Sequence, residues 1–193
     1  MPHAPTASAA ATAAAAVTSL GERAMKVAQH TEQSAAEMRD VDPDRFRSVM
    51  GHFATGVTVV TASAPDGPVG LTANAVASLS LDPVLLLVAF DKEARTLPVI
   101  RATGRFGVNV LHSGQEELAR LFASKRPERE KFAGVAHTVH DGIPVIEDAL
   151  AWVGCRLERL IPGGDHMIGI GAVEAAETGE GEPLLWFRGR YRT

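Results

Sequence analysis

The stretch Thr72-Ala73-Asn74-Ala75-Val76-Ala77-Ser78-Leu79-Ser80 gathers hydroxyls, a carboxamide and very small side chains in one place. Small side chains let a ligand reach the backbone amides, and the hydroxyls add donors without charge, so the stretch suits a ring edge or a phosphate. A Ser/Thr-rich turn with no ligand has the same composition. Asp91-Lys92-Glu93-Ala94-Arg95-Thr96 offers two cations and a hydroxyl, the parts of a phosphate clamp, though a solvated charged loop reads alike. In Gly163-Gly164-Asp165-His166 the glycines permit a tight backbone path, and the imidazole can hydrogen-bond a carboxamide or a ribose. A turn followed by a surface histidine is the plain alternative. The first two segments flank the apolar run Val84 to Phe90, so the fold should bring their ends together on one rim.

Much chemistry is excluded. The chain has no H-E-x-x-H, C-x-x-C, P-loop or G-x-S-x-G, and no G-x-G-x-x-G that follows a strand and opens a helix. His52, His112, His137 and His140 lack metal-ligand spacing, and His3 and His30 lie in a compositionally distinct front segment. Cys155, the single cysteine, reads as a small buried apolar residue in a protein of a reducing compartment.

The elements that must position these residues follow from local pattern. Asp42 and Pro43 open a short helix with Phe46, Val49, Met50 and Phe53 on one face, and Gly56 is expected to end it. Val57 to Thr61 reads as a strand, turning at Pro65-Asp66-Gly67 into a second strand over Val69 to Leu71. Thr72 to Leu81 reads as a polar connection, and after Asp82-Pro83 the run Val84 to Phe90 reads as a fully buried strand. Arg105 to Leu111 is a strand, Gln115 to Ala123 a helix and Lys125 to Lys131 a charged loop. Ala149 to Leu160 and Met167 to Glu177 form a strand pair, and Leu184 to Arg188 closes the sheet. Many short strands and few helices point to an antiparallel barrel rather than a βαβ sheet.

Composition sets the remaining bounds. The chain has 193 residues, 46% hydrophobic and 22% charged, with a formal charge of -4. That balance gives no broad basic surface for nucleic acid, and the longest apolar run is too short for a bilayer, so neither nucleic acid nor a membrane is expected as a partner. The alanine-rich start lacks a basic region and a bulky apolar core, which argues against a secretory signal and for a cytoplasmic protein. Residues 1–40 read as a tail, disordered or loosely helical, and residues 41–193 as the folded domain.

Five segments together resemble the short-chain flavin reductase family, the reductase components of two-component flavin-dependent monooxygenases. They are Phe53 to Thr61, Thr72-Ala73-Asn74, Ser78 to Pro83, Phe106 to Leu111 and Gly164-Asp165-His166. The resemblance implies a mainly β fold: a split β-barrel of Greek-key type with a few short flanking helices, assembled as a homodimer. It implies FMN or FAD near the subunit interface, with NADH or NADPH stacked over the flavin. It implies that Thr55, Gly56 and Val57 line the flavin pocket, that Thr72, Ala73, Asn74, Ala75 and Ser78 contact the ring and the ribityl chain or phosphate, and that Leu79 belongs to the same cofactor site. Lys92, Arg95 and Thr96 fall beside the flavin phosphate, Gly164, Asp165 and catalytic His166 on the nicotinamide side, and Tyr191 in the closing segment. The implied activity is NAD(P)H:flavin oxidoreduction that supplies reduced flavin to a partner monooxygenase. A noncatalytic flavin-binding electron carrier on the same barrel is the alternative. The chain departs from the family pattern at Ala75, where many members carry serine, and at Val84, where many carry a second proline.

Overall fold

The carboxylate of Asp42 accepts hydrogen bonds from the amides of Asp44 and Arg45, both at 3.3 Å, so the first described helix, α1 (Pro43–Met50), starts where its capping residues require. It ends at Met50, well before Gly56, because the backbone turns at Gly51-His52. The computed structural model describes residues 41–193. The expected tail, 1–40, lies outside the described residues. The chain divides between Arg47 and Ser48, and residues 48–193 form one compact unit.

The strands are β1 (Thr55–Gly56), β2 (Thr58–Ala64), β3 (Gly67–Ala73), β4 (Val76–Leu81), β5 (Val84–Asp91), β6 (Arg105–Val110), β7 (His137–His140), β8 (Ile143–Ile146), β9 (Ala151–Gly163), β10 (His166–Thr178), β11 (Leu185–Phe187) and β12 (Arg190–Arg192). The helices beyond α1 are α2 (Thr96–Thr103), α3 (Glu116–Ala123) and α4 (Glu128–Phe132).

Seven strands form one antiparallel sheet in the order β3-β2-β6-β9-β10-β5-β4. Its edge strands, β3 and β4, are consecutive in the chain and joined only by Asn74 and Ala75. Laid flat, the edges would stand about 29 Å apart at about 4.8 Å per strand, whereas that link reaches about 11 Å at most. The sheet must therefore roll until its edges meet at the Asn74-Ala75 end. There the amide of Ala89 in β5 donates to the carbonyl of Ala75 at 2.9 Å. Further along, β3 and β4 pair only with their inner neighbours. The result is the expected split barrel, joined at one end and open at the other.

Two apolar clusters fill the structure. Phe90, Phe106, Ile100, Val60, Val88 and Val108 occupy the barrel interior, with the rings of Phe90 and Phe106 edge to face at 5.9 Å. Val57, Val59, Leu111, Phe122, Phe132 and Leu184 pack beneath α3 and α4. Asn109, wholly buried, bolts β2, β6 and β8 together. Its Nδ2 donates to the Val59 carbonyl at 3.1 Å, and its Oδ1 accepts from the Ile146 amide at 2.9 Å.

Several expectations require correction. Residues 72–81 are mostly strand, since β3 runs to Ala73 and β4 begins at Val76, so the irregular part is Asn74-Ala75 alone. β5 is not fully buried: only Val88 and Phe90 are enclosed, because β4 and β5 form an outer edge of the sheet. The segment 125–131 is not a plain loop, since it contains most of α4 with Lys131 buried. Leu185–Phe187 does not close the large sheet but joins β1 and β12 in a separate three-stranded one. Helix α2 and the β7–β8 hairpin carry no expectation from the sequence reading; both are short, and their apolar residues alternate too briefly to stand out.

Candidate functional site

The end of the barrel where β3 passes into β4 collects most of the residues singled out above. Ala89 meets Ala75, and β5 then ends at Asp91, which lies opposite His166 at the start of β10. His166 in turn faces Gly163 across the two-residue turn Gly164-Asp165, where Gly164 has φ +64°, a conformation that favours glycine. Asn74-Ala75, the segment after Asp91 and the Gly163 to His166 hairpin thus share one rim because three strand ends coincide there. β1 joins them through Asn74, whose Nδ2 donates to Thr55 Oγ1 at 3.2 Å. A side-chain Cβ at Gly56 would meet no atom within 4 Å, so the backbone of β1 borders open space.

Lys92 ties two sides of this rim. Its amide donates to the Asp165 carbonyl at 3.1 Å and its ammonium to the Gly164 carbonyl. The hairpin that carries His166 is therefore fastened to the end of β5. His166 Nδ1 and Asp165 Oδ1 lie 2.7 Å apart, and that hydrogen bond, with the nearby charge of Lys92 a smaller influence, holds the Asp165 carboxyl below its ordinary range. Asp165 is almost fully exposed and His166 about half so, leaving the imidazole open to a ligand.

Arg95 is held from behind. One Nη donates to the Lys125 carbonyl at 3.1 Å and to the Arg126 carbonyl, and lies 3.4 Å from Glu128 Oε1. Glu128 also accepts from the Gly70 amide at 2.9 Å and pairs with the buried ammonium of Lys131 at 3.1 Å. Lys131 completes its coordination on the carbonyls of Gly70 and Phe122. One carboxylate thus clamps β3, α4 and the segment after β5 together. The sequence reading missed Glu128 and grouped Lys131 with a loop; the available signal was Pro127 followed by Glu128, Glu130 and Lys131, acidic then basic across a single helical turn.

The structure separates other candidates from this rim or engages them elsewhere. Val57 is buried, its amide donating to Leu184 and its carbonyl accepting from Leu111. The Thr72 hydroxyl donates to the Ala119 carbonyl at 2.6 Å, the Ala73 carbonyl accepts from Thr58, and Thr96 is buried at the start of α2. Ser78 and Leu79 lie farther along β4 at a bulge, with Leu79 exposed. Tyr191 sits opposite Trp186, which itself faces Thr55, so the three-stranded sheet sets it one strand beyond β1 and β11; Arg120 lies 4.9 Å over its ring. Among the described residues no cluster of His, Cys, Asp and Glu could hold a metal.

A carboxamide, open backbone and two cations, with a hydrogen-bonding imidazole beside them, fit a planar heterocycle bearing a phosphate. A rolled antiparallel sheet with these groups at its closed end defines a split-barrel protein of the nucleotide-cofactor class. Residues 50–193 match the flavin reductase like domain, and the chain belongs to that family. The reductase subunit of a flavin-dependent monooxygenase from Mycobacterium tuberculosis is 42% identical over 155 residues, covering 78% of this chain and 82% of that one. The reductase component of 4-hydroxyphenylacetate 3-monooxygenase from Thermus thermophilus is 41% identical over 150 residues, covering 77% and 95%. Among solved structures, an NADH:FAD oxidoreductase from Streptomyces globisporus superposes with a TM-score of 0.74 at 41% identity, covering 80% of this chain and 96% of that one.

Proposed function

We propose that the chain is an NAD(P)H-dependent flavin reductase that transfers hydride to FMN or FAD and hands the reduced flavin to a separate flavin-dependent monooxygenase. The observation that carries this reading is the meeting of Thr55 and Asn74 with Lys92 and the Asp165-His166 hairpin at one rim. A bound flavin supplies the hydride-accepting ring. Hydride transfer needs close stacking more than it needs an acid or base, so the protein's part is orientation. Asn74, steadied by Thr55, is assigned to the ring edge with Gly56 and Ala75 giving backbone access, while Ala73 anchors the end of β3 behind them. Lys92 and Arg95 face the phosphate end. His166, with Nδ1 turned to Asp165, offers Nε2 to the nicotinamide carboxamide or ribose. Thr72, Thr96 and Val57 brace the elements behind this cradle, whereas Ser78, Leu79 and Tyr191 stand apart from it.

The reading includes a cytoplasmic homodimer. No helix among the described residues is long and apolar enough to cross a membrane. The edge strand β4 exposes Leu79 and Leu81, the latter 83% exposed, beside exposed Val84 on β5. Bare apolar edges invite pairing, and a second copy of the chain is the natural cover. The matching relatives are named as reductase parts of two-component systems, which supports a monooxygenase as the recipient of the product.

The test is oxidation of NADH and NADPH by purified protein with FMN, FAD or no flavin added. Turnover that requires added flavin bears the reading out. Tight flavin binding without nicotinamide oxidation would replace it with the electron-carrier alternative.

A further inference from the structure

Among the described residues the Asn74 side chain makes one hydrogen bond, which its Nδ2 donates to Thr55 Oγ1 at 3.2 Å. The carboxamide is therefore only as steady as Thr55. β1, which carries Thr55, is two residues long and pairs, among the described residues, with no strand but β11, so it cannot fix its own orientation. Across that pairing Thr55 stands opposite Trp186, and Trp186 opposite Tyr191 on β12. Residues directly opposite in antiparallel strands project to the same face, so the three side chains form one row across the small sheet. The rings of Trp186 and Tyr191 meet edge to face at 4.8 Å, and the Arg120 guanidinium lies 4.9 Å over the Tyr191 ring. Glu116, one turn back on α3, accepts from Arg120 Nε at 3.0 Å and keeps it there.

Helix α3 holds this row from two sides. Arg120 reaches Tyr191, and the carbonyl of Ala119, the residue before it, accepts from the Thr72 hydroxyl at 2.6 Å. Thr72 lies two residues before Asn74, so the helix, the row and the end of β3 make a closed circuit whose last link is the hydrogen bond from Asn74 to Thr55. Trp186 is half-buried and packs against the apolar cluster beneath α3, which leaves its large ring little room to move. We propose that Trp186 is a positioning residue for the cofactor: wedged between Thr55 and Tyr191, it holds Thr55 where its hydroxyl orients the Asn74 carboxamide. Tyr191 acts on the rim in the same way, through Trp186, from its place one strand farther out. The proposal rests on the flavin reductase reading for the identity of the ligand at Asn74, but not for the positioning of Asn74 itself.

The experiment uses the full chain, with Trp186→Leu and Trp186→Phe made both in the parent and in Asn74→Ala. FMN affinity is read by flavin fluorescence, and KM and kcat for NADH by turnover at saturating FMN. The Asn74 carboxamide is followed by NMR, through its side-chain amide signals in the flavin-free protein. The proposal expects Trp186→Leu to shift those signals and weaken FMN by about three- to tenfold, the net contribution of one hydrogen bond, with kcat changed less. Trp186→Phe, which keeps a ring in the row, should restore most of the affinity. In Asn74→Ala, Trp186→Leu should weaken FMN no further, because effects that pass through one shared contact do not add. An equal loss in both backgrounds would make Trp186 a general structural support and overturn the proposal, as would Asn74 signals and FMN affinity that ignore Trp186→Leu. Should Trp186→Leu fold poorly, Arg120→Ala trims the row at its exposed far end. It is expected to shift the Asn74 signals and weaken FMN about twofold, only while Asn74 is present, and the absence of both effects overturns the proposal. Asn74 signals that move while Asn74→Ala itself leaves FMN binding intact would instead keep the positioning and remove flavin as the ligand of Asn74.

Discussion

His166 Nδ1 lies 2.7 Å from the carboxylate of Asp165, its immediate predecessor in the chain. The pair spans the end of a two-residue turn that Lys92 pins to β5, so neither partner depends on a flexible segment for its position. With Nδ1 engaged, the outward edge of the ring is Nε2, and an acceptor at Nδ1 fixes which nitrogen carries the proton.

His166→Ala is expected to raise KM for NADH by about three- to tenfold, the loss of one hydrogen bond, and to lower kcat less. An unchanged KM with a collapsed kcat would refute a binding role. Asp165→Asn should raise KM more modestly, because the amide keeps the contact and loses the charge.

The same pair makes a pH prediction. The Asp165 carboxyl is held below its ordinary value chiefly by the hydrogen bond from His166. A depressed carboxyl supports the folded pair above the ordinary carboxylate range and ceases to do so as pH falls through its own lower midpoint. Carboxyl chemical shifts followed by NMR should therefore titrate below a free aspartate in the parent and move back toward it in His166→Ala. Identical midpoints in the two proteins would dissolve the coupling.

Glu128 offers a test of how the rim is braced. Its carboxylate is mostly buried, and the Lys131 side chain is only 5% exposed. Removing one member of a buried pair strands the other, at a cost of about 3 to 5 kcal/mol. Glu128→Ala should therefore destabilise the protein by about 3 kcal/mol in urea unfolding, and the double variant with Lys131→Met should recover a large part of that loss. Equal stability of the single and double variants would mean that Lys131 is satisfied by the Gly70 and Phe122 carbonyls alone. Because Glu128 also meets Arg95, flavin affinity should fall in the single variant, and the double variant should not restore it.

The rim residues were legible in the sequence because glycine turns, small side chains and paired cations carry local signatures. Asn74-Ala75, Lys92 and the Gly164 to His166 hairpin lie near one another at one rim, where strand ends meet. The roll of the sheet was legible only as a count of short strands, since closure depends on β3 and β4 being opposite edges joined by two residues, a fact of pairing rather than of pattern. Glu128 was not legible, because what makes it matter is contact with Gly70, 58 residues away. The apolar face of α1 reads like a core face, yet Val49 and Met50 are exposed, because amphipathic spacing says that a face needs cover without saying which surface supplies it.

Gly171 tests the barrel interior. A Cβ there would lie 2.7 Å from Phe106 Cζ and 2.8 Å from Cys155 Cβ. The Cys155 atom is next to the backbone and cannot swing aside, so Gly171→Ala must displace a strand or the Phe106 ring. Overpacking of this kind costs about 1 to 3 kcal/mol. A midpoint of urea unfolding equal to the parent's would contradict the close packing of β9 on β10.

Cys155 makes the last prediction. Burial between β6 and β10, with the charge of Glu174 a lesser cause, pushes its thiol up to about 12. The thiolate is the reactive form, so a disulfide reagent at neutral pH should leave the native protein unmodified and label one thiol per chain in denaturant. The unfolded thiol ionises near its ordinary value of 9.0, while the folded one keeps its proton. The folded state therefore has this contribution in full below pH 9.0 and loses it as pH rises toward 12, where the unfolded chain has already given up the proton. Urea midpoints measured in steps from neutral to alkaline pH should decline more steeply for the parent than for Cys155→Ala. Parallel declines would remove the thiol from the account of alkaline unfolding, and rapid labelling of the native protein would show that the β6, β9 and β10 strands open far more readily than their packing implies.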